Sequence, residues 1–596
     1  MVLLICSNLK QLKQLILILS EYLYTMKYSL SYQQPSTHYL NISLELDTKQ
    51  AETIQFQLPA WRPGRYELGN FAKNIQKWEA QNESGKELEY KKLTKDLWEV
   101  NCKGSKKVIV KYNYFANDLN AGSTFLSEEQ LYVNPVNCLL YVEGRIDEEC
   151  ELQLSIPNNY ACAIPLPELG KNVFKAKNFD ELADSPFIAS PTLKHHEFKV
   201  EHTIFHLWFQ GEFKPKWKQL EDDFVAYTKE QINLFGGFPT AEYHYLFQIL
   251  PHSAYHGVEH SASTVIALGP SYNILKKEGR YEDLLGVSSH ELFHTWNVKR
   301  IRPIEMVPYD FSKENYTRLG YLTEGATTWY GDLMLYRSKV FGDEEYFKTF
   351  NQLLDRHYNN PGANNLSVAD SSFDTWLDGY TMGVPNRKSS IYTEGALITF
   401  MLDVEIRRNT NNKSSFDDVL RKFYTDFYKK GKGISEKDYK EVVEEIAQKE
   451  LSSFFDNYVN GTADISSQLD ESLNYLGLEK ISKPSGKYEE AYLGIKQSTS
   501  QIIMVFPSSP AEKAGISIHD KVVSINGFQL KDDLSEWLEY FKGDQIKLEL
   551  FDAYGVRKEV NIKLDEQSYF SVNRVSKLEK PTKQQIENRT AWMKTN

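Results

Sequence analysis

A chain of 596 residues is too long for one hydrophobic core, and its length alone predicts about three to five domains. With 41% hydrophobic and 25% charged residues it carries ample material for packed cores, which excludes a disordered protein. A net charge of -12 lacks the basic face expected of a nucleic-acid binder.

At the N-terminus, Val2–Ile5 and Leu15–Leu19 are short apolar patches interrupted by Lys10 and Lys13. No small-residue cleavage site follows them, so residues 1–25 read as a non-native start or a disordered extension, with Met26 as the true start. A weak signal or anchor is the competing reading. No apolar run reaches the roughly 20 residues that span a bilayer, so no transmembrane segment is expected. The five cysteines (Cys6, Cys102, Cys138, Cys150, Cys162) are scattered, odd in number and without CxxC spacing. That pattern fits free thiols in a reducing, cytoplasmic compartment.

Residues 26–202 show period-2 alternation between turn signals, as in Leu40-Asn-Ile-Ser-Leu-Glu-Leu and Lys107-Val-Ile-Val-Lys-Tyr. This predicts a β-rich N-terminal domain. Residues 203–475 turn mainly helical, with helix formers over 282–300, 318–339, 344–357, 393–408 and 435–451. Residues 486–566 return to strand-like runs such as Ile502-Ile-Met-Val-Phe and Ile546-Lys-Leu-Glu-Leu-Phe. Residues 567–596, polar and rich in Lys and Gln, read as a loose tail. No internal repeat is seen.

The sharpest signal is His290-Glu291-Leu-Phe-His294. On a helix, positions i and i+4 share one face, so both imidazoles reach one ion at about 2.0–2.1 Å. Glu291 is placed to act as general base toward a water that zinc has acidified. Ser288 or Ser289 is the expected helix cap. With only 13 histidines in the chain, a chance match on a solvated helix is the weaker reading. A hydrolytic site needs a third protein ligand, and no third histidine follows soon after. Two carboxylates compete: Glu314 in a turn-like stretch, and Glu324 within an apolar, aromatic helix where an uncoordinated carboxylate is costly. Glu324 is preferred.

His290-Glu-Leu-Phe-His-Thr-Trp-Asn-Val-Lys-Arg-Ile-Arg-Pro303 resembles the extended signature of the glycyl aminopeptidase family of gluzincin zinc peptidases. Thr323-Glu-Gly-Ala326, Pro59-Ala-Trp-Arg-Pro-Gly-Arg-Tyr66 and Asp184-Ser-Pro186 are also similar to family patterns. The resemblance spans residues 27–565 and implies an α+β multidomain fold. Its parts are a β-rich domain, a thermolysin-like, mainly helical catalytic domain and a PDZ-like β/α domain. It implies one zinc per chain and cleavage of peptides with a free N-terminus, at small residues such as Gly or Ala. It also implies that Gly257 and Glu259, in His256-Gly-Val-Glu-His260, belong to an edge strand whose glutamate binds the substrate's α-amino group. A carboxylate so placed registers the substrate by its first residue; the bland alternative is a structural ion pair. Tyr392, in Tyr392-Thr-Glu-Gly-Ala396, matches the tyrosine that donates to the oxyanion. Such a donor is worth about 2.7–4 kcal/mol, although most of the 37 tyrosines are packing residues.

Phe506–Gly527 resembles a PDZ core, with Asn526-Gly527 as a tight-turn pair. Leu493, Gly494 and Ile495 stand where a loop of backbone N–H groups would cradle the C-terminus of a partner peptide. Two other readings compete. One is a non-catalytic PDZ scaffold with structural zinc; the other is a zinc endopeptidase in which Glu259 is structural. Structural zinc sites are usually closed by four ligands, often cysteines, which disfavours the scaffold.

Overall fold

The computed structural model of the chain describes residues 26–276, 279–381 and 383–594. The expectations for residues 1–25, Cys6 among them, lie outside the described residues. Two compact units form: one from the described residues up to Ile232 with Gly236–Tyr316, the other from Asn233–Phe235 with Thr317 onward. The contacts therefore part at Tyr316, not at the expected step from residue 202 to 203.

In the first unit, the alternating N-terminal runs become strands as their pattern requires. Tyr39–Asp47 buries every second residue and pairs antiparallel with Lys107–Phe115 and with Met26–Ser31 in a seven-stranded sheet. Two four-stranded sheets complete this region. The four described cysteines are unbonded.

A five-stranded sheet follows, built from β1 (Lys194–Val200), β2 (Thr203–Gln210), β3 (Glu242–Ile249), β4 (Ala254–Glu259) and β5 (Ser263–Gly269) in the order β1-β2-β3-β5-β4. One face carries Tyr243, Tyr245 and Phe247. The Tyr227 hydroxyl from the following helix (Trp217–Phe235) donates to the Tyr245 hydroxyl at 3.2 Å on that side. The other face turns Leu246, Val258, Val265 and Ala267 into one cluster with Tyr132 and Ile188 of the N-terminal strands. This shared core is the physical reason that the sheet groups with the β-rich region. β4, at the sheet edge, pairs among the described residues only with β5, antiparallel. Helix α1 (Tyr281–Phe293) packs against β4 and β5.

The second unit is helical around α2 (Ala326–Arg337) and α3 (Ile391–Thr410), the latter buried along nearly all of its length. Its later part holds a five-stranded sheet running through Ile495–Ser498, Gln501–Val505, Lys521–Ile525, Ile546–Phe551 and Arg557–Ile562, with a short strand Phe528–Gln529 beside it. Leu493, Ile502, Val522, Leu538 and Leu548 fill its core. Asn526 and Gly527 both have positive φ (49° and 86°), as the two-residue turn demands.

Residues 567–596 are not a loose tail. Ser571–Lys577 pairs antiparallel with Leu478–Pro484, and Lys583–Trp592 is a helix capped by Thr582 and Gln585. Its Trp592 is fully buried beside Trp329, and Arg337 Nε donates to the Trp592 carbonyl at 3.2 Å. Buried aromatics, Phe570 and Trp592 among them, and a strand pairing across roughly ninety residues hold what composition presents as polar and unstructured.

No helix among the described residues is long and apolar enough to cross a membrane.

Candidate active site

Helix α1 starts at Tyr281, with Glu282 and Asp283 in its first turn and the Arg280 guanidinium donating to Asp283 at 2.7 Å. Ser288 and Ser289 are therefore not caps. They are buried mid-helix, and Ser289 accepts at both its carbonyl and its hydroxyl from the Gln231 amide (2.9 and 3.0 Å).

The i, i+4 pair behaves as the spacing predicts. His290 Nε2 and His294 Nε2 lie 3.0 Å apart with the rings at 83°. Two ligands at about 2.0–2.1 Å on a tetrahedral ion sit roughly 3.3 Å apart, so the pair fits zinc. His294 Nδ1 lies 2.7 Å from the Asn297 carbonyl, to which it donates, and this leaves the Nε2 lone pair for a metal. Burial and the neighbouring His294 push the His290 pKa well below its usual value, so its imidazole is neutral, the form that ligates.

Glu291 and Glu259 converge on the same place. A ligand-capable atom of Glu259, of Glu291 and of His294 all lie within 4.8 Å of one another, and all three residues are buried. Gly257 makes this possible, because a Cβ there would fall 2.1 Å from Glu291 Oε1 and 2.8 Å from Val287 Cγ2. Gly64 does the same for Glu259: its φ is +82°, and a Cβ would fall 2.4 Å from Glu259 Oε2. Glu259 is 4% exposed, and its Oε1 has no hydrogen-bond partner among the described residues. A buried carboxylate oxygen without a partner is costly unless a cation comes to it.

The residues after α1 fix this arrangement. Lys299 Nζ donates to Asp184 Oδ1 at 2.8 Å, and Lys299 is buried. His260, next to Glu259, lies with Nδ1 3.0 Å from the same oxygen, and the Ser261 N–H donates to Asp184 Oδ2 at 2.9 Å. Burial pushes the Asp184 pKa up, but Lys299 and His260 overcome it and hold the carboxyl well below its usual range. Arg300 donates to the Ser261 and Thr295 carbonyls. The β4–β5 turn is thus tied both to the segment after α1 and to Asp184. The Pro59–Tyr66 segment docks through Trp61 Nε1, which donates to the Asp310 carbonyl at 2.8 Å. Lys299, Asp184 and His260 carry no role in the sequence reading; the available signal was that Lys299 and Asp184 fall within the segments similar to family patterns. His256, in β4, has its pKa lowered to about 3 by burial and then by Arg62 and Arg65.

In the second unit, Glu324 is 3% exposed in a π-helical turn (Tyr321–Gly325) that leads into α2. Glu314 stands in a loop, half-buried. The turn bearing Glu324 crosses the start of α3 through two glycines: a Cβ on Gly325 would fall 2.3 Å from Gly395 Cα, and one on Gly395 2.3 Å from the Tyr321 carbonyl oxygen. This crossing sets Thr323-Glu-Gly-Ala against Thr393-Glu-Gly-Ala. Their glutamates differ in environment, because Glu394 is bound by His357 Nδ1 at 2.8 Å. Ser390 caps α3, and Tyr392 is half-buried in its first turn.

Leu493, Gly494 and Ile495, the expected carboxylate cradle, lie at the end of a π-helical turn and the start of a strand. Gly494 adopts φ +81°, but its N–H donates to the Glu489 carbonyl at 2.9 Å, and Leu493 and Ile495 are core residues.

Residues 27–191 match the family model of the Peptidase M61 N-terminal domain, and residues 283–398 match that of M61 glycyl aminopeptidase. The aminopeptidase N family protein from Idiomarina loihiensis shares the fold: its TM-score is 0.87 at 25% identity, covering 96% of this chain and 100% of that one. An M1 zinc metallopeptidase from Deinococcus radiodurans aligns with a TM-score of 0.47 at 13% identity, over 74% of this chain and 94% of that one. No curated protein matches the chain.

Proposed function

We propose that this chain is a zinc-dependent aminopeptidase that removes N-terminal residues, small ones such as Gly or Ala, from peptides with a free amino end. The observation that carries this reading is Glu259, a buried carboxylate with an unpartnered oxygen beside Glu291 and His294. A free ammonium supplies the missing charge and hydrogen bonds; a blocked amine does not.

His290 and His294 hold one zinc, and Glu324 serves as third ligand, a role supported by its burial and by the family match over 283–398. When bound, zinc acts as a Lewis acid that polarises the scissile carbonyl and acidifies water. Glu259 anchors the substrate's α-amino group, so the first peptide bond is the one presented. Glu291 takes a proton from the attacking water and returns it to the departing nitrogen. Tyr392 donates a hydrogen bond to the developing oxyanion. The outer edge of β4 has no strand partner among the described residues, which leaves it for backbone pairing with an extended peptide.

Residues 486–566 are read as a PDZ-like module. Its first strand, Ile495–Ser498, lies at the sheet edge and is where a peptide would add; the Gly494 hydrogen bond argues for capture through the strand and not through a C-terminal carboxylate. The unbonded thiols support a reducing compartment such as the cytoplasm. The test of the whole reading is cleavage of alanyl and glycyl peptides with free or acetylated amino ends, with and without a chelator. Loss of cleavage on acetylation and on chelation supports it; equal cleavage of both peptides makes the enzyme an endopeptidase.

A further inference from the structure

A second group of metal-ligating side chains lies on the other face of the same five-stranded sheet, near its opposite edge. His195 and Glu197 of β1 face Trp208 and His206 of β2 in antiparallel register, and His206 faces His244 of β3. By the period-2 rule these residues share a face with Leu246, opposite the one that bears Tyr243 and Tyr245. His195 Nε2 and His206 Nδ1 are 3.0 Å apart, the same separation as the two imidazole nitrogens of the zinc helix. Glu197 Oε2 lies 3.9 Å from His206 Nδ1, and the ligand atoms of the three residues fall within 4.8 Å of one another.

The surrounding hydrogen bonds select which nitrogen faces a metal. Trp208 Nε1–H can only donate, and it donates to His244 Nδ1 at 3.2 Å, so neutral His244 carries its proton on Nε2. The Glu242 carboxylate stands between that Nε2 (3.7 Å) and His206 Nε2 (3.8 Å). His206 Nε2 is buried and has no hydrogen-bond partner within normal distance among the described residues, so the acceptor that attracts its proton is Glu242. With the proton on Nε2, the Nδ1 lone pair of His206 points toward His195. A carboxylate behind the distal nitrogen is the arrangement that orients metal-ligating histidines.

We propose that His195 Nε2, His206 Nδ1 and Glu197 form a second divalent-cation site, selective for borderline ions such as Zn2+, Ni2+ or Cu2+, with Glu242 as the positioning residue. Without an ion, the His195 Nε2–H donates to His206 Nδ1; binding moves that proton to Nδ1 of the exposed His195, where water accepts it. Two imidazoles and one carboxylate suit these ions and not Ca2+ or Mg2+, which want oxygen ligands. Water fills the remaining positions of this open site. His195 also stacks on Trp208, with centroids 3.7 Å apart at 15°, which fixes the ring and puts a fluorophore against the ion.

The test is equilibrium dialysis of the full chain against micromolar free zinc, with metal counted per chain. Wild type binds one equivalent more than His195→Ala and one more than Glu197→Ala, both exposed positions, while cleavage by these variants is unchanged. Because the readout is the difference between wild type and variant, it stands independently of what the His290–His294 pair holds. In a parallel Cu2+ titration, a component of the tryptophan quenching is lost in Trp208→Phe. Equal zinc counts in wild type and both variants, or identical quenching in Trp208→Phe, overturns the proposal.

Discussion

Gly257 lies directly against the carboxylate of Glu291: a Cβ at 257 would come within 2.1 Å of Oε1. The edge strand β4 and helix α1 are therefore in contact through an absent side chain, and the position of the proposed general base depends on a glycine two residues before the proposed amine anchor. Gly257→Ala is expected to leave the melting temperature within a few degrees and to lower kcat by about 100-fold, the scale of a roughly 1 Å misplacement. Steady-state kinetics beside circular dichroism checks this.

Glu259→Ala is expected to abolish the preference for a free amino end. Cleavage of free peptides falls, mainly through kcat/KM, toward the low rate on acetylated peptides. The loss corresponds to one buried charge-assisted contact, about 2–5 kcal/mol. Gly64→Ala, whose Cβ meets Glu259 Oε2, shifts the same ratio in the same direction. Paired assays on free and acetylated substrates measure it.

Lys299→Met leaves Asp184 buried without its ammonium partner, and this costs about 3–5 kcal/mol of stability. The sign with pH follows from the shift. The folded pKa of Asp184 lies below the unfolded value of roughly 3.9. Its ion pairing therefore adds stability above about pH 4 that is lost as pH falls below that value. Lys299 has its folded pKa raised above its ordinary one, so its contribution is present at neutral pH and is lost only in strong base. Urea unfolding of wild type and Asp184→Asn from pH 7 to pH 3 should show the acid loss in wild type and a flatter profile in the variant.

How much of this was legible beforehand depended on sequence distance. The His290–His294 pair was readable because a helix converts a spacing of four into one face, and the β-rich N-terminal region because alternation is local. Asp184 and Lys299 are 115 residues apart, and no local pattern joins them. Ser288 and Ser289 looked like caps because they precede the motif, but α1 begins at Tyr281 and buries them against Gln231. The last thirty residues look loose because their composition is polar; the packing rests on a few scattered side chains, Phe570, Val575 and Trp592, and Ser571–Lys577 finds its partner at Leu478–Pro484. The direction of the Gly494 N–H is set by the π-helical turn before it, which no local pattern announces.

Removing the proposed third ligand separates metal binding from chemistry. Glu324→Ala is expected to release zinc at chelator concentrations that wild type withstands and to lower activity accordingly, with excess zinc restoring part of it. Elemental analysis after dialysis against graded chelator reads this out.

The central claim is that Glu291 acts as the base toward water at a His290–His294 zinc site. Its most direct test is Glu291→Gln, assayed on a free alanyl peptide with zinc measured in the same sample. The account predicts that zinc at the His290–His294 pair is retained and that turnover falls by about 100- to 10,000-fold. Turnover at the wild-type rate by zinc-loaded Glu291→Gln would contradict it.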